Sequence, residues 1–267
     1  MRHLILILAA GLLWVSPALA DPEPVPTVKE IAKLRVKAEK GDAKAQNDLG
    51  LAYKSGRGVG WDETEAMKWF RKAANQGDAE AQYSLGRMYF MGAGLEPDHA
   101  EAVKWFRKAA EQGLAKAQCD LAGMCSSGWG LPKDEVEAVK WYRRSAEQEF
   151  ALGQEGLGAM YLLGRGVPKD YAEALKWYRK AAEQELRSAQ HMMGVMYVRG
   201  LGVPKDDVEA YKWWLLAKGW LLAKAKRDQD AIMDILQLEP YLTPEQRAEG
   251  ERRAREFKPT KAPAAAR

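Results

Sequence analysis

Histidine and cysteine are scarce in this chain, and their scarcity removes most of the chemistry a 267-residue protein might perform. There are three His and two Cys. His3 lies in an apolar leader, so His99 and His191 remain, in separate stretches with no ligand motif around either. Metal sites draw on clustered His, Cys and carboxylates, and none is expected here. No Ser or Cys stands in a motif that pairs it with a positioned base. Gly56, Gly58 and Gly60 have the spacing of a phosphate loop, but Trp61 and Asp62 follow them and no strand precedes them, which a dinucleotide fingerprint requires. The reading is a non-enzymatic chain without metal or cofactor.

An excess of one charge is also missing. Lys and Arg number 41 against 37 Asp and Glu, too even a balance for a nucleic-acid binder, which wants a clustered basic face. Lys68, Lys104, Lys140, Lys176 and Lys212 form a ladder, but each has a Glu three residues before it, and such pairs neutralise one another along a solvated helix face. Nucleic acid is not an expected partner.

The one long apolar run, Leu4 to Val15, follows Arg2 and leads into Ser16, Pro17 and Ala18-Leu19-Ala20. Charge, length and small-residue ending are those of a secretory signal peptide, and the apolar core is short for a membrane span. Cleavage between Ala20 and Asp21 implies a periplasmic or secreted chain with no transmembrane segment once mature. No Cys stands at that site for lipid attachment. In an oxidising compartment two cysteines invite a disulfide, yet Cys119 and Cys125 are six apart on one predicted helix, about 9 Å along its axis and beyond disulfide reach. They are read as separate thiols. Cys125 occupies a position held elsewhere by Tyr53, Tyr89, Tyr161 and Tyr197 and is expected inside; Cys119 falls at a variable, outward position and is expected to be open to reaction.

What the sequence does have is repetition. Glu-Ala-x-Lys-Trp recurs at Glu65–Trp69, Glu101–Trp105, Glu137–Trp141, Glu173–Trp177 and Glu209–Trp213, with the tryptophans 36 residues apart each time. A fixed period of this size means stacked copies of a unit that cannot bury its apolar face alone, an all-α solenoid. Asp62, Asp98, Asp134, Asp170 and Asp206 stand three residues before the Glu, a capping-box spacing that starts a helix. On that helix Ala66, Trp69, Phe70 and Ala73 share one arc, and Glu65, Lys68, Arg71 and Lys72 the other. A first helix in each unit carries Gln46, Gln82, Gln118, Gln154 and Gln190, read as buried amides that hold loop backbone, and Gly50, Gly86, Ala122, Gly158 and Gly194. Glycine inside a helix costs about 1 kcal/mol against Ala, so its recurrence points to a close approach by another helix. Paired glycines, Gly56 with Gly58 and their counterparts, end each first helix.

The order along the chain is then a Pro-rich leader from Asp21; a capping helix from Thr27 to about Lys40; five units at about 42–77, 78–113, 114–149, 150–185 and 186–221; two C-terminal capping helices, one over Trp220–Leu238 and one opened by Thr243, Pro244 and Gln246 and running to about Phe257; and a disordered tail at 258–267.

The pattern Ala-x-x-Gln-x-x-Leu-Gly-x-x-Tyr, then Gly-x-Gly-Val-x-x-Asp, then Glu-Ala-x-Lys-Trp-Tyr-Arg-Lys-Ala-Ala-Glu-Gln resembles the Sel-one-like repeat, a relative of the tetratricopeptide repeat. Leu157-Gly158 through Gly164-Arg165-Gly166-Val167 to Trp177–Ala182 shows it well. The resemblance covers 42 to about 221. Departures fall at Ala122, Gly123, Cys125 and Gly153, and at Glu149 and Glu185, where a helix-ending Gly is missing. The resemblance implies a right-handed superhelical solenoid of antiparallel helix pairs whose first helices line the concave face.

On those helices the positions turned from the core do not repeat, and they are the candidate partner-binding residues: Tyr83, Arg87, Phe90, Cys119, Glu155, Leu162, His191, Val195 and Val198. Aromatic and Arg side chains of this kind are enriched in binding surfaces. A competing reading is that Phe90, Leu162 and Val198 cover the neighbouring unit's loop. The expectation is an exported, monomeric scaffold that binds a protein or peptide in its groove. Exported members of the resembled family imply restraint of a membrane sensor, assembly of secretion machinery, or immunity against a delivered toxin. Relatives described as binding or hydrolysing β-lactams carry a cysteine pair in each repeat, which this chain lacks.

Overall fold

The computed structural model describes residues 26–93, 96–219 and 237–260. The leader at 1–20 and most of the helix expected at 220–238 lie outside the described residues. Those described are all helical, with no strand. In chain order the helices are α1 (Val28–Glu39), α2 (Ala43–Ser55), α3 (Glu63–Asn75), α4 (Ala79–Met91), α5 (His99–Glu111), α6 (Ala115–Ser127), α7 (Glu135–Glu147), α8 (Ala151–Leu163), α9 (Tyr171–Glu183), α10 (Arg187–Arg199) and α11 (Asp207–Gly219); a 3-10 turn at Glu239–Tyr241 precedes α12 (Pro244–Glu256). The chain forms two compact units, 1–138 and 139–267. In the first, α1 to α6 each pack on the next; in the second, α8 to α11 do so and α12 lies on α11.

Each second helix starts where the Asp spacing places it. Asp62, Asp98, Asp134, Asp170 and Asp206 accept the backbone N–H three residues on, at 2.9–3.0 Å. The reciprocal half of the box does not form. Each capping Asp spends its own N–H on the carbonyl of Tyr53, Tyr89, Cys125, Tyr161 or Tyr197, at 2.9–3.2 Å, which leaves Glu65, Glu101, Glu173 and Glu209 to pair with the Lys one turn on. Complete capping boxes occur at Thr27 with Glu30 and at Thr243 with Gln246.

The repeating arc is core. Ala66, Phe70 and Ala73 are fully buried and Trp69 nearly so, with the same pattern at Ala102, Trp105 and Phe106 and at Ala174, Trp177 and Tyr178. The glycines inside first helices lie under the ring that follows each Trp. A Cβ on Gly50 would stand 2.7 Å from Phe70, on Gly86 2.8 Å from Phe106 and on Gly158 3.1 Å from Tyr178, and one on Gly194 would run into Trp214. The close approach is thus by a ring, not by helix backbone. The amides of Gln46, Gln82, Gln118, Gln154 and Gln190 donate to the carbonyls of Ala38, Ala74, Ala110, Ala146 and Ala182, at 2.9–3.4 Å. These carbonyls belong to the last turn of the preceding helix, where intrahelical donors run out, rather than to loops. Gln76, Gln112 and Gln184 then donate to Gln46, Gln82 and Gln154, so the amides chain from repeat to repeat.

At the tail, Thr260 donates its N–H to the Glu183 carbonyl at 2.8 Å and Phe257 stands edge-on to Trp213. Residues 258–260, assigned to the disordered tail by composition, are thereby held; 261–267 lie outside the described residues.

Where Gly41, Gly77 and Gly113 end α1, α3 and α5 with φ of +92 to +96°, Glu149 and Glu185 adopt φ of 60° and 63°. The turn is kept and a side chain is forced into the left-handed region, which costs an L-residue about 1–2 kcal/mol. Glu185→Gly should therefore raise stability by about 0.5–1 kcal/mol after glycine's larger entropy loss is offset. A denaturant midpoint that falls would contradict this.

Candidate partner-binding faces

Tyr83, Arg87 and Phe90 lie on α4 in the first unit, and all three are half-buried. The Tyr83 ring leans on Phe106 of α5, centroids 5.6 Å apart. Its hydroxyl donates to the Asp120 carboxylate of α6. The Lys116 ammonium sits 4.9 Å from the Tyr83 ring centroid and the Arg87 guanidinium 6.0 Å. Burial, and then the charge of Asp120, push the Tyr83 pKa well above its ordinary value. Burial likewise raises Asp120 to about 6, against the pull of the Tyr83 hydrogen bond, Arg87 and Lys116. Phe90 stacks on His99 at 5.0 Å and tilts on Trp129 at 5.5 Å. Trp129 belongs to the loop after α6, so Phe90 does cover the neighbouring repeat's loop.

Cys119 is 1% exposed, which corrects the expectation of an open thiol. The reason is reach. At this position the short Asn47 and Cys119 are covered, while the longer Tyr83, Glu155 and His191 extend to half-exposure. Cys125 is buried too, and the two thiols form no disulfide. Burial raises the Cys125 thiol to about 11. It stands where a tyrosine hydroxyl accepts from Arg35, Arg71, Arg143 or Arg179 in other repeats, and Arg107 turns instead toward Glu137, 4.0 Å away.

In the second unit Glu155 on α8 accepts from the Ser188 hydroxyl, and burial raises its pKa. The buried Tyr178 hydroxyl has no hydrogen-bond partner. His191 stacks on Trp214 at 6.4 Å and its carbonyl accepts the Trp214 indole N–H at 3.1 Å. Leu162, Val195 and Val198 are half-buried against the core around Met193 and Trp214. They are less exposed than the helix pattern alone suggests, because each packs against that cluster.

Sequence reasoning missed Asp120, Lys116 and Trp129. Asp120 was findable: its counterparts are Asp48, Ser84, Gly156 and Met192, so the position does not repeat, yet it adjoins the core.

The family model described as Sel1 repeat matches residues 43–78, 79–114, 115–150, 151–186 and 187–218. The chain belongs to the Sel1 repeat family. Among solved structures, a protective antigen of uropathogenic Escherichia coli strains displaying an SLR fold is 34% identical with a TM-score of 0.69; the match covers 85% of this chain and 56% of that one. A Sel1 repeat protein from Oxalobacter formigenes is 31% identical, TM-score 0.69, over 79% of this chain and 90% of its own. An immunity protein from Pseudomonas aeruginosa, at 20% identity and TM-score 0.46 over 84% and 77%, is too distant to bear on this chain's role. None of the curated proteins matches. This Sel1 repeat chain shows, among its described residues, no helix long and apolar enough to cross a membrane.

Asp120 allows a direct test of the first unit's geometry. Its raised pKa means that between about pH 4 and 6 the native chain holds a proton that the unfolded chain, with a value near 3.8, releases. Stability contributed by the protonated form is complete below that window and is lost as pH rises through it. Asp120→Asn should gain stability relative to the parent from pH 4 to pH 7. An equal pH profile for both proteins would place the carboxylate in water.

Proposed function

We propose that this chain is an exported, non-enzymatic Sel1 repeat scaffold that binds a protein or peptide through the outward faces of its first helices. Membership of the family supports the scaffold. The leader pattern at 1–20 supports export to the periplasm or beyond. The observation that carries the binding role is Arg87. In a repeat where stacking dictates nearly every residue, this position varies through Leu51, Arg87, Gly123, Ala159 and Val195, and here it presents a half-buried guanidinium beside Tyr83 without an ion pair. Arginine beside an aromatic ring, partly desolvated before any ligand arrives, is the composition of a binding hot spot.

Tyr83 also packs on Phe106, so its truncation would mix folding with binding; Arg87 carries no such load. With the partner recovered from an envelope extract by affinity capture, Arg87→Ala should weaken binding by about 2 kcal/mol or more and leave helicity by circular dichroism unchanged. Unchanged affinity in the folded variant would move the site off this face, first to the outer Lys and Arg ladders.

A further inference from the structure

Among the described residues of the first unit, Lys54 and Arg87 are the two half-buried cations without an acidic partner. The other half-buried cations there are paired: Lys116 with Glu80 at 2.6 Å and Arg107 with Glu137 at 4.0 Å. Lys54, in the last turn of α2, and Arg87, on α4, are both half-buried and neither forms an ion pair. The carboxylates that act on them do so at a distance. Glu63 acts on Lys54, and Asp120, already engaged by the Tyr83 hydroxyl, on Arg87. Side chains of successive first helices reach one another, as Lys116 of α6 reaches Glu80 of α4 at 2.6 Å, and across the corresponding pair α2 and α4 the charge of Arg87 adds to burial in lowering the Lys54 pKa. The Arg87 donors are largely unspent, its closest polar contact being the Met91 sulfur at 4.0 Å.

The register places apolar groups beside both charges. Leu51 on α2 corresponds to Arg87 on α4, and Lys54 corresponds to Phe90, so each helix offers one cation and one apolar side chain in opposite order. Leu51 and Met91 are exposed, at 44% and 45%. Like charges drawn together out of water repel, and a single anion between them relieves both. A guanidinium fork grips a carboxylate with two parallel hydrogen bonds and an ammonium adds a point charge.

We propose that Lys54 and Arg87 together form a receptor for acidic side chains of the partner, so that the first unit recognises a peptide segment carrying Asp or Glu beside apolar residues. This rests on the reading of the α4 face as partner-binding and specifies the class of ligand.

The probe is a C-terminally amidated hexaglutamate peptide, whose only carboxylates are side chains, with amidated hexaglutamine as its neutral match. Titrated into the full chain, hexaglutamate should bind and hexaglutamine should not. Lys54→Gln and Arg87→Gln should each weaken binding about tenfold, the loss of one charge-assisted contact. Lys104→Gln, which removes the same charge from a paired and exposed site, should leave it unchanged. In the unmutated chain, with lysines carrying carbon-13 methyl labels, the peptide should raise the Lys54 pKa. Equal binding of both peptides, equal losses for Lys104→Gln and Lys54→Gln, or a Lys54 resonance that does not respond would each overturn the proposal. If hexaglutamate fails while Arg87→Ala still weakens the native partner, the acidic ligand is wrong and the face is right; if neither responds, both readings fall.

Discussion

The contact that the rest of the fold depends on is an aromatic ring lying on a small residue. Phe70 over Gly50, Phe106 over Gly86 and Trp214 over Gly194 leave no room for a Cβ, and Tyr178 over Gly158 leaves a tight 3.1 Å. The ring buries the area that drives association of the two helices, at roughly 25 cal/mol per Å² of apolar surface, and the missing side chain sets how closely they come. Glycine's unfavourable helix propensity, about 1 kcal/mol, is the cost of that distance.

Once this spacing is set, directional bonds complete the register. The Gln46 amide reaches the Ala38 carbonyl, and Gln76 reaches Gln46 from the far side. Both ends of the amide are buried, and an unsatisfied buried amide costs about 1–3 kcal/mol, so a slipped register is penalised at each repeat. The Asp62 N–H on the Tyr53 carbonyl ties each turn in the same way. Packing thus supplies the energy, and the hydrogen bonds select one arrangement. The faces left over are free to vary, and Asp120, Arg87 and Lys54 stand among them.

Most of the fold was legible in the sequence because stacking imposes one residue type at one phase. The tryptophan spacing, the Asp caps, the buried Gln and the small residues each repeat; the Gln amides are buried as expected but hold the last turn of the preceding helix, not a loop, and the small residues admit a ring, not a helix backbone. Single residues in unusual settings were harder to read. Glu149 and Glu185 mark the absence of a glycine, but only the backbone shows that the left-handed turn survives without it. Cys119 stands at a position that does not repeat, and helical periodicity does not reveal that a short side chain there is covered. For the same reason Phe90, Leu162 and Val198 looked more exposed than they are. The candidate site was half legible: Tyr83, Arg87 and Asp120 all stand at positions that do not repeat, whereas the pairing of Asp120 with Tyr83 shows only when α4 and α6 are placed side by side.

The central claim is that ring-on-glycine contact, not helix propensity, dictates the small residue. It is tested most directly by Gly86→Ala measured in two backgrounds. In the parent chain the added methyl meets Phe106, and stability should fall by about 1–3 kcal/mol. In a Phe106→Leu background the obstruction is relieved, and the same change should raise stability, by up to about 1 kcal/mol from propensity alone. Stabilisation by Gly86→Ala in both backgrounds would contradict the account.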